Sequence, residues 1–141
     1  MKRNTFATVD AMIAAMEPSY PVYCIQPDVL RETASRYLKT FPGRVLYAIK
    51  CNPHPRVVEL LYEAGIRHFD TASLAEIAQV REQFRDAGCY FMHPVKARAA
   101  IRTAYEVYGI RHFVIDSHAE LEKVMDETGG EGVTCVVRVA T

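Results

Sequence analysis

Five ionisable residues, Lys50, Asp70, His93, Asp116 and Arg138, recur at intervals of 20, 23, 23 and 22 residues, each closing a short apolar run. Lys50 follows Val45-Leu46-Tyr47-Ala48-Ile49. An amine in such a strand-end pocket loses the hydration that favours its charged form and becomes a nucleophile able to condense with a carbonyl as a Schiff base. From position alone, a surface lysine where the strand enters a loop is the better account of it. Asp70, with Glu76 six residues on, would neutralise or orient a cationic centre. Either carboxylate also has a plainer use, Asp70 accepting from turn amides and Glu76 completing a helix cap. Arg138, between Val137 and Val139, is a guanidinium in an apolar strand and calls for a carboxylate or phosphate partner. His93, before Pro94, is as well suited to a loop hydrogen bond as to catalysis, and Asp116-Ser117 reads as a helix start. His54, His68, His112 and His118 have no metal-ligand spacing, so no metal site is expected and no chemistry is assigned to them.

The elements that must position these groups repeat in the same rhythm. Strand-like runs at 45–49, 67–70, 89–92, 112–115 and 134–138 are short, apolar and rich in aromatic or β-branched residues. Amphipathic helices are expected between them at 55–64, 74–84, 96–108 and 119–127, with Gly65, Gly88, Gly109 and Gly129 at or near their ends. Ser73 and Ser117 stand as N-caps, each with a glutamate three residues on, Glu76 and Glu120. Strands apolar throughout and linked by helices are buried on both faces, which makes the sheet parallel with right-handed crossovers. The even spacing favours a partial (β/α)8 barrel of the TIM type with five strands over an open doubly wound sheet. Parallel strands bring their C-terminal ends to one face, so all five ionisable residues should gather there. Ahead of the repeat, residues 8–17 form a helix with Asp10 available as its cap, residues 21–25 a short strand, and a further helix opens at Pro27-Asp28. The chain thus divides into an N-terminal extension, 1–26, and the first part of a barrel, 27–141.

Composition narrows the function. With 17 basic and 17 acidic residues and no basic stretch, neither nucleic acid nor an anionic membrane is an expected partner. The longest apolar runs fall short of the roughly 20 residues needed to span a bilayer, and the N-terminus lacks the apolar core of a secretory signal. Cys24, Cys51, Cys89 and Cys135 form no C-x-x-C pair and read as reduced, mostly buried thiols of a cytoplasmic protein.

The segment Tyr47-Ala48-Ile49-Lys50-Cys51-Asn52 resembles the Y-A-V/I-K-C/A-N motif of the ornithine/diaminopimelate/arginine decarboxylase family, pyridoxal-phosphate enzymes of the alanine-racemase-like fold. Further matches follow in order: Phe69-Asp70-Thr71-Ala72-Ser73 with Glu76-Ile77, His93-Pro94-Val95-Lys96 against N-P-C-K, Ile115-Asp116-Ser117 with Glu120-Leu121, and Val137-Arg138-Val139-Ala140-Thr141 against L-R-I-A-T. The resemblance spans residues 21–141. It implies Lys50 as the catalytic, cofactor-bearing lysine, with Asp70, Glu76 and Arg138 as further groups around pyridoxal 5'-phosphate. His93 and Val95 depart from the family's Asn and Cys, and no role is carried to that turn.

The implied reaction is decarboxylation of a basic amino acid, with L-ornithine to putrescine, a step of polyamine biosynthesis, favoured by the N-P-C-K-like turn. Lysine, arginine or diaminopimelate decarboxylation, an alanine racemase, a small pyridoxal-phosphate homeostasis protein, a non-catalytic regulatory homologue and an unrelated open-sheet binding domain stay open. Family members continue through three more strands and a β-domain that residues 1–26 would join. They are homodimers with shared active sites. The phosphate loop, the substrate-selecting acids and a cysteine donated across the dimer lie in that continuation, so these 141 residues alone are expected not to turn over substrate.

Overall fold

The computed structural model describes residues 4–139 and contains six helices and five strands. Helix α1, Val9–Met16, starts where the Thr8 side chain accepts from the Ala11 amide. Thr8 rather than Asp10 is therefore the cap, and Asp10 lies in the first turn. Residues 21–25, expected as a strand, form none. An extended segment becomes a strand only by pairing, and the edges of the sheet near it find no partner in this segment among the described residues. Helix α2, Pro27–Thr40, opens on a proline, whose missing N–H costs nothing in a first turn.

The repeat then runs as β1 (Leu46–Ala48), a 3-10 turn over Ile49–Cys51, α3 (Pro55–Glu63), β2 (His68–Thr71), α4 (Leu74–Gln83), β3 (Gly88–Phe91), α5 (Arg98–Glu106), β4 (His112–Ile115), α6 (His118–Thr128) and β5 (Thr134–Val137). All neighbouring strands are parallel and their spatial order is their chain order. Sequential order without a reversal sends every crossover the same way and puts the helices on one side, as in a barrel and not as in a doubly wound sheet. The five strands are the arc of a partial barrel.

Alternation along each strand divides the two faces. Phe69, Cys89, Phe91, Phe113 and Ile115 point outward and join Val58, Ile77, Val80, Ile101, Ala104 and Val124 of the helices in one core. Positions 46, 48, 68, 70, 90, 112 and 114 point the other way, into what would be the barrel lumen. Ser73 and Ser117 cap α4 and α6 as expected, accepting from the amides of Glu76 and Glu120. Gly65, Gly109 and Gly129 hold left-handed backbone after α3, α5 and α6, whereas Gly88 is the first residue of β3 and ends no helix. The thiols divide evenly where the sequence suggested mostly buried ones. Cys24 and Cys51 are exposed, because residue 24 lies in the unpaired segment and residue 51 on the turn beyond β1.

A buried ion pair fastens the β3–α5 turn to the rest of the molecule. The Lys96 side chain is fully shielded. Its Nζ donates to the carbonyls of His93 (3.2 Å), Pro94 (3.0 Å) and Val114 (2.6 Å). Three protons are all an ammonium has, so Glu120 Oε2, 3.2 Å away, is held by charge and accepts no hydrogen bond. Lys123 pairs with the other Glu120 oxygen and donates to the Lys96 carbonyl at 2.8 Å. Burial pushes the Glu120 carboxyl up, but the Lys123 and Lys96 ammonium groups outweigh it and hold the carboxyl below its usual range. Glu120 is thus an ionic bolt as well as an N-cap partner. Lys96→Met is expected to destabilise the chain by up to about 3 kcal/mol because it strips the buried carboxylate of one counter-charge, while Lys96→Met with Glu120→Leu recovers most of the loss. Urea unfolding at neutral pH measures both. The Glu120 contribution is lost as pH falls through its depressed value.

Candidate active site

The parallel register aligns Ala48 of β1 with Asp70 of β2, so the turn after β1 opens beside the Asp70 carboxylate. Lys50 sits on that 3-10 turn with its side chain exposed, not dehydrated in a pocket as the apolar strand suggested. Ile49 takes the buried position of the turn, and a 3-10 step rotates the next side chain away from it. Tyr47 Oη donates to the Asn52 carbonyl at 3.3 Å, closing the turn around Lys50.

Asp70 is half-buried and points to the inward face. Burial raises its carboxyl above the usual range, the Lys50 ammonium lowers it, and Glu76 raises it again. Lys50, Asp70 and Glu76 therefore share one electrostatic field. Glu76 is tied down, its Oε2 accepting from the Ala72 amide at 2.8 Å. This is the reciprocal half of a capping box displaced by one residue, since the box would take the Ser73 amide.

The other three strand-end groups stand apart from this trio. His93 is exposed and folds into its own loop, Nδ1 lying 3.2 Å from the Val95 amide and 2.8 Å from the Val95 carbonyl. Asp116 is exposed just past β4. Arg138, expected deep in an apolar strand with an anionic partner, is exposed one residue beyond β5 and has no ion pair among the described residues. β5 is an edge strand, and neither of its faces is covered at that end. Asn52 lines a cleft of about 260 Å³ with Cys24, Ile25, Gln26, Val29, Leu30 and Val57, adjoining the Lys50 turn.

Sequence reading missed a second inward cluster, Arg44, His68, Tyr90 and His112. Its signal was the two-residue alternation that places 68 with 70 and 90 with 112 on the lumen face. No group of three or more metal-ligating side chains occurs among the described residues, and no helix is long and apolar enough to cross a membrane.

Residues 27–141 match the family described as pyridoxal-dependent decarboxylase, pyridoxal binding domain, and the chain belongs to that family. It is 34% identical over 97 residues to a lysine/ornithine decarboxylase of Selenomonas ruminantium, covering 68% of this chain and 24% of that one. It is 33% identical over 120 residues to antizyme inhibitor 2 of Xenopus laevis, covering 81% of this chain and 24% of that one. The lysine/ornithine decarboxylase of Vibrio vulnificus, solved with putrescine, superposes with a TM-score of 0.77 at 32% identity over 94% of this chain and 37% of that one. The chain thus spans about a quarter of the length of the curated relatives it matches. The family's cofactor is pyridoxal phosphate, and the residues present fit its aldehyde end: an exposed amine with an inward carboxylate one strand away. Among the described residues nothing forms a cradle for its phosphate.

Without a cofactor, the Asp70 carboxylate is a partly dehydrated charge beside a second carboxylate. Its raised value means that the folded chain holds the proton more tightly than the unfolded one. Asp70 therefore costs stability as pH rises through the carboxylate range, the opposite sign to Glu120. Asp70→Asn is expected to stabilise the cofactor-free chain at pH 7 by a few tenths of a kcal/mol after solvent screening, a gain that vanishes near pH 3. Thermal melts of both chains at the two pH values test this.

Proposed function

We propose that this chain is the lysine-bearing part of a pyridoxal-phosphate-dependent decarboxylase of basic amino acids, acting on L-ornithine to give putrescine. The observation that carries the reading is the accessible Lys50 amine on its turn beside Asp70, in a chain of this family. The choice of ornithine rests on the motif resemblance together with relatives and neighbours named as ornithine or lysine/ornithine decarboxylases, one of them solved with putrescine. Pyridoxal phosphate, when bound, supplies an electron sink for the pair left behind when carboxylate departs.

The chain's own groups have three tasks. Lys50 Nζ would hold the carbonyl end of the cofactor. Asp70, under the influence of both Lys50 and Glu76, would help set how readily a proton stays at that end of the site. Glu76, locked by the Ala72 amide, holds the turn after β2 in place. Arg138, exposed at the end of β5, is available to an anionic group brought to the same face. The reading includes a cytoplasmic homodimer with shared active sites.

A second reading, a non-catalytic regulatory homologue, draws on the match to antizyme inhibitor 2. The readings part at Lys50. Incubation with pyridoxal phosphate, reduction with borohydride and peptide mapping should place the label on Lys50, and Lys50→Ala should remove it. Labelling elsewhere, or none at millimolar cofactor, favours the regulatory reading.

A further inference from the structure

The loop that carries Lys50 is closed almost entirely on itself. Tyr47 Oη donates to the Asn52 carbonyl at 3.3 Å, and the His54 amide to Asn52 Oδ1 at 3.2 Å. The Arg56 amide donates to His54 Nδ1 at 3.2 Å and the Val57 amide to the His54 carbonyl at 2.8 Å. Such bonds give the loop its shape. They do not fix where it stands relative to β2, because every partner lies within residues 47–57. Ile49 and Val57, both buried, pin its two ends, and Lys50 and Pro53 lie exposed between them.

Among the described residues, one hydrogen bond reaches out of residues 51–54 to another β/α unit. Gln79 Nε2 donates to the Pro53 carbonyl at 2.6 Å, across 26 positions of chain. A carbonyl only accepts, so the direction is fixed and the amide nitrogen is the atom that faces it. Gln79 lies outside every segment that carries the family resemblance, including Phe69–Ser73 with Glu76-Ile77.

The donor stands on a fixed element. Ile77 and Val80 of α4 are fully buried. Arg81 donates to the carbonyls of Arg85 at 3.0 Å, Ala87 at 2.9 Å and Tyr108 at 2.9 Å, joining α4 to the start of β3 and the end of α5. Glu76, three residues before Gln79 and so its neighbour on the helix surface, accepts from the Ala72 amide at 2.8 Å. Adjacent side chains of α4 therefore hold two loops, the turn that follows Asp70 and the loop that follows Lys50. Burial raises the Asp70 carboxyl and the Lys50 ammonium lowers it, so the spacing of these two groups carries energy.

We propose that Gln79 is a positioning residue for Lys50, its amide holding the loop against α4 so that the amine is presented beside Asp70. The inference rests on Lys50 being the cofactor-bearing lysine. A group already held in its working place loses less freedom when a ligand arrives.

The probe is pyridoxal phosphate at a sub-saturating concentration, followed by borohydride and peptide mapping, with the exposed Lys39 of α2 as internal reference. Gln79→Met keeps the length of the side chain and loses the donor, Gln79→Ala loses both, and Gln79→Arg keeps a donor. The ratio of Lys50 to Lys39 labelling is expected to fall about three- to tenfold in the Met and Ala variants, the scale of one hydrogen bond, and to recover in Gln79→Arg. Without cofactor, the His54 amide should exchange with solvent faster by a similar factor in the same two variants, while the Val80 amide in the body of α4 keeps its rate. Loss of the fold cannot imitate this pattern, because it would speed both amides and open the fully shielded Lys96 to label. An unchanged labelling ratio, a lowered ratio that Gln79→Arg does not recover, or unaltered His54 exchange overturns the proposal. Absence of label on Lys50 in the unaltered chain instead overturns the reading of Lys50 and the inference with it, so the two failures are told apart before any variant is made.

Discussion

Ala48 stands opposite Asp70 across a parallel ladder, and from that pairing most of the remaining placement follows. A parallel pair needs a crossover, the crossover is a helix, and successive right-handed crossovers put every helix on the same side. The opposite face is then left to inward side chains alone. A one-residue slip between β1 and β2 would send Asp70 into the helix-packed core and Phe69 into the lumen, exchanging a carboxylate for an aromatic ring in both environments. The buried Phe69 and Phe113 anchors forbid that slip, so packing on one face fixes chemistry on the other.

The lumen face holds two charge systems at different heights. Near the C-terminal ends of the strands, an amine and a second carboxylate act on Asp70 in opposite senses. Lower down, a guanidinium, a phenol and two imidazoles lie together. Asp70 is the nearest acidic group in the ladder, yet the charges that act on it, Lys50 and Glu76, are not those that act on His68 and His112.

The alternation of apolar runs and amphipathic helices was legible because it reports burial on both faces of a sheet, and β4 falls on the residues expected, 112–115. The Lys50 motif and its order relative to Asp70 and Glu76 were legible as well. Other features depended on partners that spacing does not reveal. Residues 21–25 have strand-like composition but no neighbour to pair with among the described residues. Arg138 has strand-like flanks, yet sits where the sheet ends. The exposure of Lys50 comes from a single 3-10 step, too short to leave a periodic signal. Lys96 looked like one member of a turn motif, and its burial depends on Glu120, 24 positions later in the chain. The imidazole cluster has no metal-ligand spacing in the chain, and what unites His68 and His112 is the strand face they share, which only the sheet register brings together.

Lys96 has a consequence for how the molecule breathes. Its ammonium joins the β3–α5 turn, the Val114 carbonyl of β4 and the first turn of α6, and none of these can part without baring an ion pair to an unequal solvent. Local opening in this region is therefore collective: amides of β4 and α6 exchange with solvent through one shared event, not by fraying in turn. The Lys50 turn, built on a three-residue strand at the far side of the sheet, shares none of these contacts and lies outside that cooperative unit.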